Sequence, residues 1–186
     1  VCSSDLLKKI GMVRDVGPLT AVSSLDRLLD QVNARVRTDG LEGLRTLPSD
    51  SFDLIFSQAV LEHVPLGEFP ATLSELYRVQ KIGGIGSHRI DFKDHLQSSL
   101  NNLRFSEATW EKPWFAARSG FYTNRLRLSQ MSHVFAGAGF TVRLLEQNRW
   151  SELPLSADLF AEPFRRLSDD DLKTSGAVVL LTKGSR

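Results

Sequence analysis

The chain has 186 residues, a length that suits one domain with a hydrophobic core of its own. Its 23 Lys plus Arg against 22 Asp plus Glu leave a net charge of +1, so no bulk attraction draws it to nucleic acid, and no apolar run approaches the ~20 residues of a membrane helix. A single cysteine, Cys2, excludes an internal disulfide framework and a cysteine-rich zinc site, and makes a reducing, cytoplasmic setting the default.

The first residues, Val1 to Leu6 (VCSSDL), resemble the translation of a sequencing adapter. They are expected to be a scar, with residues 7–186 forming part of a longer domain. Ser24 to Gln31 then sets Leu25, Leu28 and Leu29 at helical spacing behind a Ser24 cap, and Ala34 to Thr38 alternates as a short strand does. Phe52 to Phe56 is short, apolar and rich in strand formers, which predicts a central parallel strand buried on both faces. Glu68 to Lys81 carries Phe69, Leu73, Leu76 and Tyr77 on one helical stripe, with Pro70 in the first turn and Gly83 and Gly84 as the stop. A second strand follows over about Ile85 to Phe92.

Residues 93–128 are polar and aromatic without a clean period and are too long for a simple connection, so they read as a functional insertion or lid. Ser129 is placed to cap a helix with Met131, Val134 and Phe135 inward, ended by Gly137 and Gly139. Phe140 to Glu146 and Ala177 to Thr182 read as strands, with a short helix near Ala157 to Leu167 between them. Strands alternating with helices predict an α/β fold, a Rossmann-like doubly wound, mostly parallel sheet. The last two strands lack a long crossover helix, which predicts an antiparallel pair at the C-terminal edge.

Two spaced runs are recognisable: LRTLPSDSFDLIFSQAVLEHV, Leu44 to Val64, and LSELYRVQKIGG, Leu73 to Gly84. Together they resemble the class I S-adenosylmethionine-dependent methyltransferases, above all the branch carrying LP..SFDLV.S..VLEHV and a later L.E..RVLKPGG. The resemblance covers Ala34 to Ile90, and the later AGF.V..LE and VVLLTK runs match the family's last two strands. Gln80 and Ile82 depart from the family's Leu and Pro in the turn into the next strand. The family's glycine-rich D.G.G.G loop, which cradles the methionine end of the cofactor, is not found, and neither is the acid that ends its second strand. Gly83, Gly84 and Gly86 follow a helix and lack the fingerprint spacing. The sheet is therefore expected to be incomplete at the N-terminus and the fragment alone inactive, with Phe52 to Phe56 left as an exposed edge.

The resemblance implies S-adenosylmethionine as cofactor. It places Ser57, Gln58 and Ala59 beside the cofactor at the end of their strand, where a doubly wound sheet binds ligands. It also implies that Asp39 accepts a hydrogen bond from the adenine amino group, with Gly40 and Leu41 beside the ring; taken alone, Asp-Gly reads equally as a turn. Methyl acceptors in this family bind beyond the next strand, which nominates His88 and Asp91 to take a proton from a hydroxyl acceptor, although strand alternation puts them on opposite faces. His63 is a further candidate base. Its competing reading, with Glu62, is a capping or packing role at the end of a short helix between Ser57 and Pro65. A metal held by His88, Asp91, Asp94 and His95 is a weak reading, and no metal is expected. In the insertion, Asn101, Asn102, Arg104, Tyr122, Asn124 and Arg125 suit a polyol, glycan or carboxylated acceptor, or are solvated loop residues.

The function expected is methyl transfer to an oxygen of a small-molecule or glycan-type acceptor, with no nucleic acid or membrane partner and the oligomeric state open. Two alternatives stand beside it: a non-enzymatic relative that binds or regulates, and a nicotinamide-dependent dehydrogenase, which needs a glycine fingerprint.

Overall fold

The computed structural model describes residues 24–184. They belong to two units, divided after Thr38. In the first, helix α1 (Leu25–Gln31) starts at Ser24, whose Oγ accepts from the Arg27 N–H at 3.3 Å. Ala34 to Thr38 is not the strand its alternation predicts. It is exposed chain without a ladder partner among the described residues, so its side chains gain no buried face.

The second unit holds a four-stranded sheet in the order β1-β2-β4-β3, from β1 (Phe52–Gln58), β2 (Gln80–Asp91), β3 (Thr141–Arg149) and β4 (Thr174–Thr182). β1 and β2 are parallel, and β4 is antiparallel to both β2 and β3, so β4 alone runs against the other three. The antiparallel C-terminal pair is as expected, with β4 inside the sheet and β3 at its edge. Its helices are α2 (Gly40–Arg45), α3 (Phe69–Val79), α4 (Glu107–Trp110), α5 (Pro113–Arg118), α6 (Leu128–Gly137) and α7 (Asp169–Lys173).

One core joins α3 and α6 to the sheet. Phe69, Leu73 and Leu76 of α3 and Met131 and Phe135 of α6 pack with Ile90, Ala177, Val179 and Leu181, which alternate along β2 and β4 as residues of one face must. The start of α6 differs from expectation. Arg127 occupies the cap position, its backbone N–H donating to Gln130 Oε1 at 3.0 Å, while Ser129 lies in the first turn and bonds to Asp171 through both its N–H and its hydroxyl.

β1 also departs from the reading of a strand buried on both faces. Among the described residues it pairs only with β2, and Leu54 and Phe56 are 53% and 75% exposed on the face away from α3. Among the described residues β1 is therefore an exposed edge of the sheet. The junction into β2 differs as well, because α3 ends at Val79 and the glycines lie inside the strand rather than stopping the helix. Phe52 pairs with Gln80 and Leu54 with Ile85, so Lys81 to Gly84 bulge out of the ladder. Gly83 there takes φ +75°, and a Cβ on Gly84 would meet the carbonyl oxygens of Lys81 and Phe52 at 2.9 and 3.0 Å. Gln80 does more than turn the chain: its buried amide donates to Gly84 O at 2.7 Å and to Leu181 O at 3.1 Å, tying the bulge to β4.

Residues 93–128 and the stretch after β3 build a second core beyond the carboxyl ends of β1 and β2. Leu100 and Leu103 meet Phe160, Phe164 and Leu172 there, with Trp150, Leu153 and Leu167 around them. The helix expected near Ala157 to Leu167 is instead two single turns, Ala157–Leu159 and Phe164–Arg166, because Pro163 between them supplies no N–H to a continuous helix.

Candidate functional site at the carboxyl ends of the first two strands

Successive residues of a strand face opposite ways, and at the end of β1 this separates two concave surfaces. Ser57 faces a cavity of about 290 Å³ bounded by Gly40, Leu41, Ile55, Val60, Leu61 and His88. Gln58 and Ala59 face a different cleft, of about 320 Å³, shared with Arg89, Asp91, Lys93, Asn148, Ser175 and Gly176. Ala59 leaves the strand at φ +51°, a conformation costly for a residue with a Cβ, and its N–H is held by Arg89 O at 2.9 Å. Backbone strain at the point where the two cavities meet is where a fold is expected to carry function.

The first cavity is mostly apolar. Three residues anticipated beside the cofactor, Gly40, Leu41 and Ser57, come together in its wall. Asp39 caps α2 by position only. Its carboxylate makes no cap hydrogen bond, so it is available to an external donor, and Gly40 takes φ +54°. Apolar walls for a flat ring, an aspartate next in sequence to the lining Gly40 and backbone groups of a strand end fit the adenosine part of S-adenosylmethionine. Gln58 and Ala59 line the neighbouring cleft instead.

His88 stands opposite Ser57 in the β1–β2 ladder, with Nδ1 2.8 Å from Ser57 Oγ. Only 2% of it is exposed, and burial pushes its imidazole down to about 4, so the ring is neutral at ordinary pH. It lies in the wall of the apolar cavity, whereas Asp91 lies in the polar cleft at the end of β2. The two do not converge on one proton, as strand alternation anticipates. Asp91 accepts the Lys93 N–H at 2.9 Å on Oδ1, with Lys93 Nζ 3.5 Å from Oδ2.

His63 is exposed in the single turn Leu61–His63. Its ring meets that of His95 edge-on at 4.9 Å between centroids, and its Nδ1 lies 3.0 Å from Tyr122 O. Among the described residues no group of three or more His, Cys, Asp and Glu side chains is arranged to hold a metal ion. Asp94, weighed as a ligand, instead organises its own loop. Burial alone raises its carboxyl, but N–H donors from Leu96, Gln97 and Asn101 outweigh that and hold it below the usual range.

The insertion residues anticipated at the acceptor are largely engaged in hydrogen bonds within the protein. Asn102 donates to Thr123 Oγ1 at 3.1 Å; Asn124 donates to Leu61 O and Val64 O at 2.8 and 3.1 Å. Arg125 reaches Phe105 O at 2.7 Å and stacks on Trp110 and Phe164. Tyr122 donates to Glu111 at 2.8 Å and accepts from Leu66 N–H at 3.0 Å, and burial pushes its hydroxyl up to about 12. Arg104 is exposed. These contacts clamp the insertion onto the loop after β1.

Two residues lie at the centre of this clamp: Arg127, which carries no sequence signal, and Glu62, read from the sequence with His63 as capping or packing. Arg127, 1% exposed, donates to Phe92 O at 2.8 Å and Asp171 O at 2.9 Å and lies over the Phe92 ring. Glu62, 2% exposed, accepts the Asp91 N–H at 3.1 Å, and burial raises its carboxyl. Asn148, Ser175 and Gly176 enter the cleft from β3 and β4, too distant in sequence for any spacing to join them to Asp91.

Residues 11–87 match the family described as a methyltransferase domain. No curated protein matches. Among solved structures, the chain is similar to CrArsM, an arsenic (III) S-adenosylmethionine methyltransferase from Chlamydomonas reinhardtii, at 19% identity and TM-score 0.52, over 84% of this chain and 48% of that one. It is similar also to the YcgJ protein from Bacillus subtilis, at 17% identity and TM-score 0.51, over 88% of this chain and 77% of that one. The chain thus spans about half the length of the first and three quarters of the second. These likenesses establish the fold, and residues 11–87 are similar in sequence to the methyltransferase-domain family.

Proposed function

We propose that the protein transfers a methyl group from S-adenosylmethionine to a hydroxyl oxygen of a small, polar, glycan-type acceptor. The observation that carries this reading is the division at the end of β1, with an apolar cavity on the Ser57 side and a polar cleft on the Gln58 and Ala59 side. Gly40, Leu41 and Leu61 would hold the adenosine part of the cofactor, Asp39 would take its amino hydrogen bond, and Ser57 would face it from the strand. Bound there, the cofactor supplies an electrophilic methyl on a sulfonium.

The cleft lining favours a polar acceptor. Arg89, Asp91, Lys93, Asn148 and Ser175 offer donors and acceptors, with Ile90 the apolar contribution. As the acceptor oxygen bonds to the methyl carbon and the methyl–sulfur bond breaks, the hydroxyl proton has to leave. Asp91 is the carboxylate in that cleft and is assigned as the base. His88 is assigned a positioning role, fixing the Ser57 hydroxyl from behind. A single cysteine supports a cytoplasmic setting.

The test is calorimetric titration of S-adenosylmethionine into the natural full-length protein, followed by transfer of a labelled methyl group to a panel of hydroxylated small molecules and sugars. Cofactor binding with label on an oxygen is expected, and Asp91→Asn should lose the transfer while keeping the binding. A folded chain that binds no cofactor overturns the reading and favours a non-enzymatic relative; label on nitrogen or carbon overturns the assignment of oxygen.

A further inference from the structure

Besides Glu111 Oε1, which lies outside the cavity described next, three buried polar atoms at the lid have no hydrogen-bond partner among the described residues: Glu62 Oε2, Asn102 Oδ1 and Arg125 Nε. Their residues are 2%, 3% and 5% exposed, and all three line one small cavity of about 10 Å³. Leaving even one such group unpaired is costly, so three in one cavity require a common explanation.

The chemistry of the atoms selects the occupant. Two accept and one donates. An anion would meet the Glu62 carboxylate, and a cation would meet the Arg125 Nε–H together with Arg127, which also lines the cavity. A neutral molecule with two donors and at least one acceptor satisfies all three. The volume admits about one water molecule, and a buried water typically makes about three hydrogen bonds.

We propose that the cavity bounded by Glu62, Asn102 and Arg125 is a built site for a single water molecule, which donates to Glu62 Oε2 and Asn102 Oδ1, accepts from Arg125 Nε, and so locks the lid onto the loop after β1. The three partners come from three segments: Glu62 from the turn that follows β1, Asn102 from the single turn Asn101–Arg104 early in the lid, and Arg125 from its returning limb. Direct protein bonds already run between them in part. Asn124 N–H donates to Glu62 O at 2.7 Å, and Arg125 Nη1 to Asn102 O at 3.3 Å. The water closes this partial ring. Because Glu62 Oε1 holds the Asp91 N–H, the ring ends on the backbone of the strand terminus that faces the cleft.

A crystal structure of the full chain at a resolution that shows ordered solvent tests this directly. One peak is expected, within about 2.7–3.2 Å of each of the three atoms. A cavity without density, or a cation there revealed by anomalous scattering after rubidium exchange, overturns the assignment. Asn102→Leu removes one partner and fills the space, whereas Asn102→Asp preserves an acceptor. The Leu variant should lose the peak and raise hydrogen exchange at the Asn124 amide about tenfold, and the Asp variant should keep both near the parent values. Loss of the peak without faster exchange at Asn124 overturns the locking role.

Discussion

Ser57 Oγ and His88 Nδ1 lie 2.8 Å apart at paired positions of two parallel strands, and both residues face the apolar cavity. A hydroxyl at such a wall needs an internal partner that costs little to bury, and a neutral imidazole is one. The imidazole is kept neutral because burial pushes it from 6.5 down to about 4. Unfolded chain therefore binds a proton at His88 that folded chain refuses. Stability from this group is complete above about 6.5 and is lost as the pH falls toward about 4. The separation corresponds to about 3 kcal/mol at most. Denaturant titrations across that range should show the loss, and His88→Gln should flatten that part of the profile. An unchanged slope in the variant would contradict the assignment.

Asp91 and His88 are three positions apart and face different cavities, which predicts separable defects. Asp91→Asn should lower kcat by about a hundredfold or more while leaving cofactor affinity close to the parent value, because the carboxylate acts on the acceptor side. His88→Gln should act mainly on cofactor affinity through Ser57. Single-turnover transfer and calorimetry distinguish the two, and parallel losses in both variants would show that the cavities are not separate sites.

Next in sequence to Gly40 of the apolar cavity, Asp39 makes no side-chain cap hydrogen bond to its helix. Asp39→Ala should weaken S-adenosylmethionine binding by about tenfold, the value of one lost hydrogen bond to a charged group, with no change in melting temperature of the unliganded protein. Asp39→Asn, which keeps an acceptor oxygen, should recover part of that loss. Unaltered affinity in the Ala variant would return Asp39 to the turn role that Asp-Gly alone suggests.

The glycines after α3 show how far the sequence could be read. Their position after an amphipathic stripe signals an interruption, and β2 does follow. The pattern does not show that the strand begins before them, since a bulge is defined by its neighbour's register. Gly84 is needed because carbonyl oxygens of Lys81, Phe52 and Asp53 stand 2.9, 3.0 and 3.2 Å from the Cβ position. Gly84→Ala should therefore cost about 1–3 kcal/mol in denaturant unfolding. Gly67→Ala, where a Cβ meets nothing within 4 Å, is the control and should change little.

The same distinction runs through the site. Ser57, Gly40 and Leu41 were legible because they sit at fixed distances from a recognisable run, LPSDSFDLIFSQAVLEHV, and the strand positions the rest. Tyr122, Asn124 and Arg125 were legible as polar and aromatic residues of an insertion, but composition does not tell an acceptor contact from an internal clamp. The difference lies in partners 60 residues away, as in Asn124 Nδ2 to Val64 O. Arg127 was silent for the same reason, since nothing local marks an arginine whose carbonyl partners are Phe92 and Asp171.

The exposed side of β1 carries the last prediction. Leu54 and Phe56 project from one face at 53% and 75% exposure, with Ile85 of β2 beside Leu54 in the ladder at 43%. Beyond them, β1 has no ladder partner on its other edge among the described residues. Apolar side chains beside unpaired backbone groups give a second chain both a surface to cover and a ladder to extend. The full chain should sediment as concentration-dependent oligomers. Leu54→Lys together with Phe56→Lys should shift it toward monomer, because a charge on each apolar position opposes burial of that face without touching the core packed under α3. A parent chain that stays monomeric with a cooperative melt at every concentration would show that this face is already satisfied.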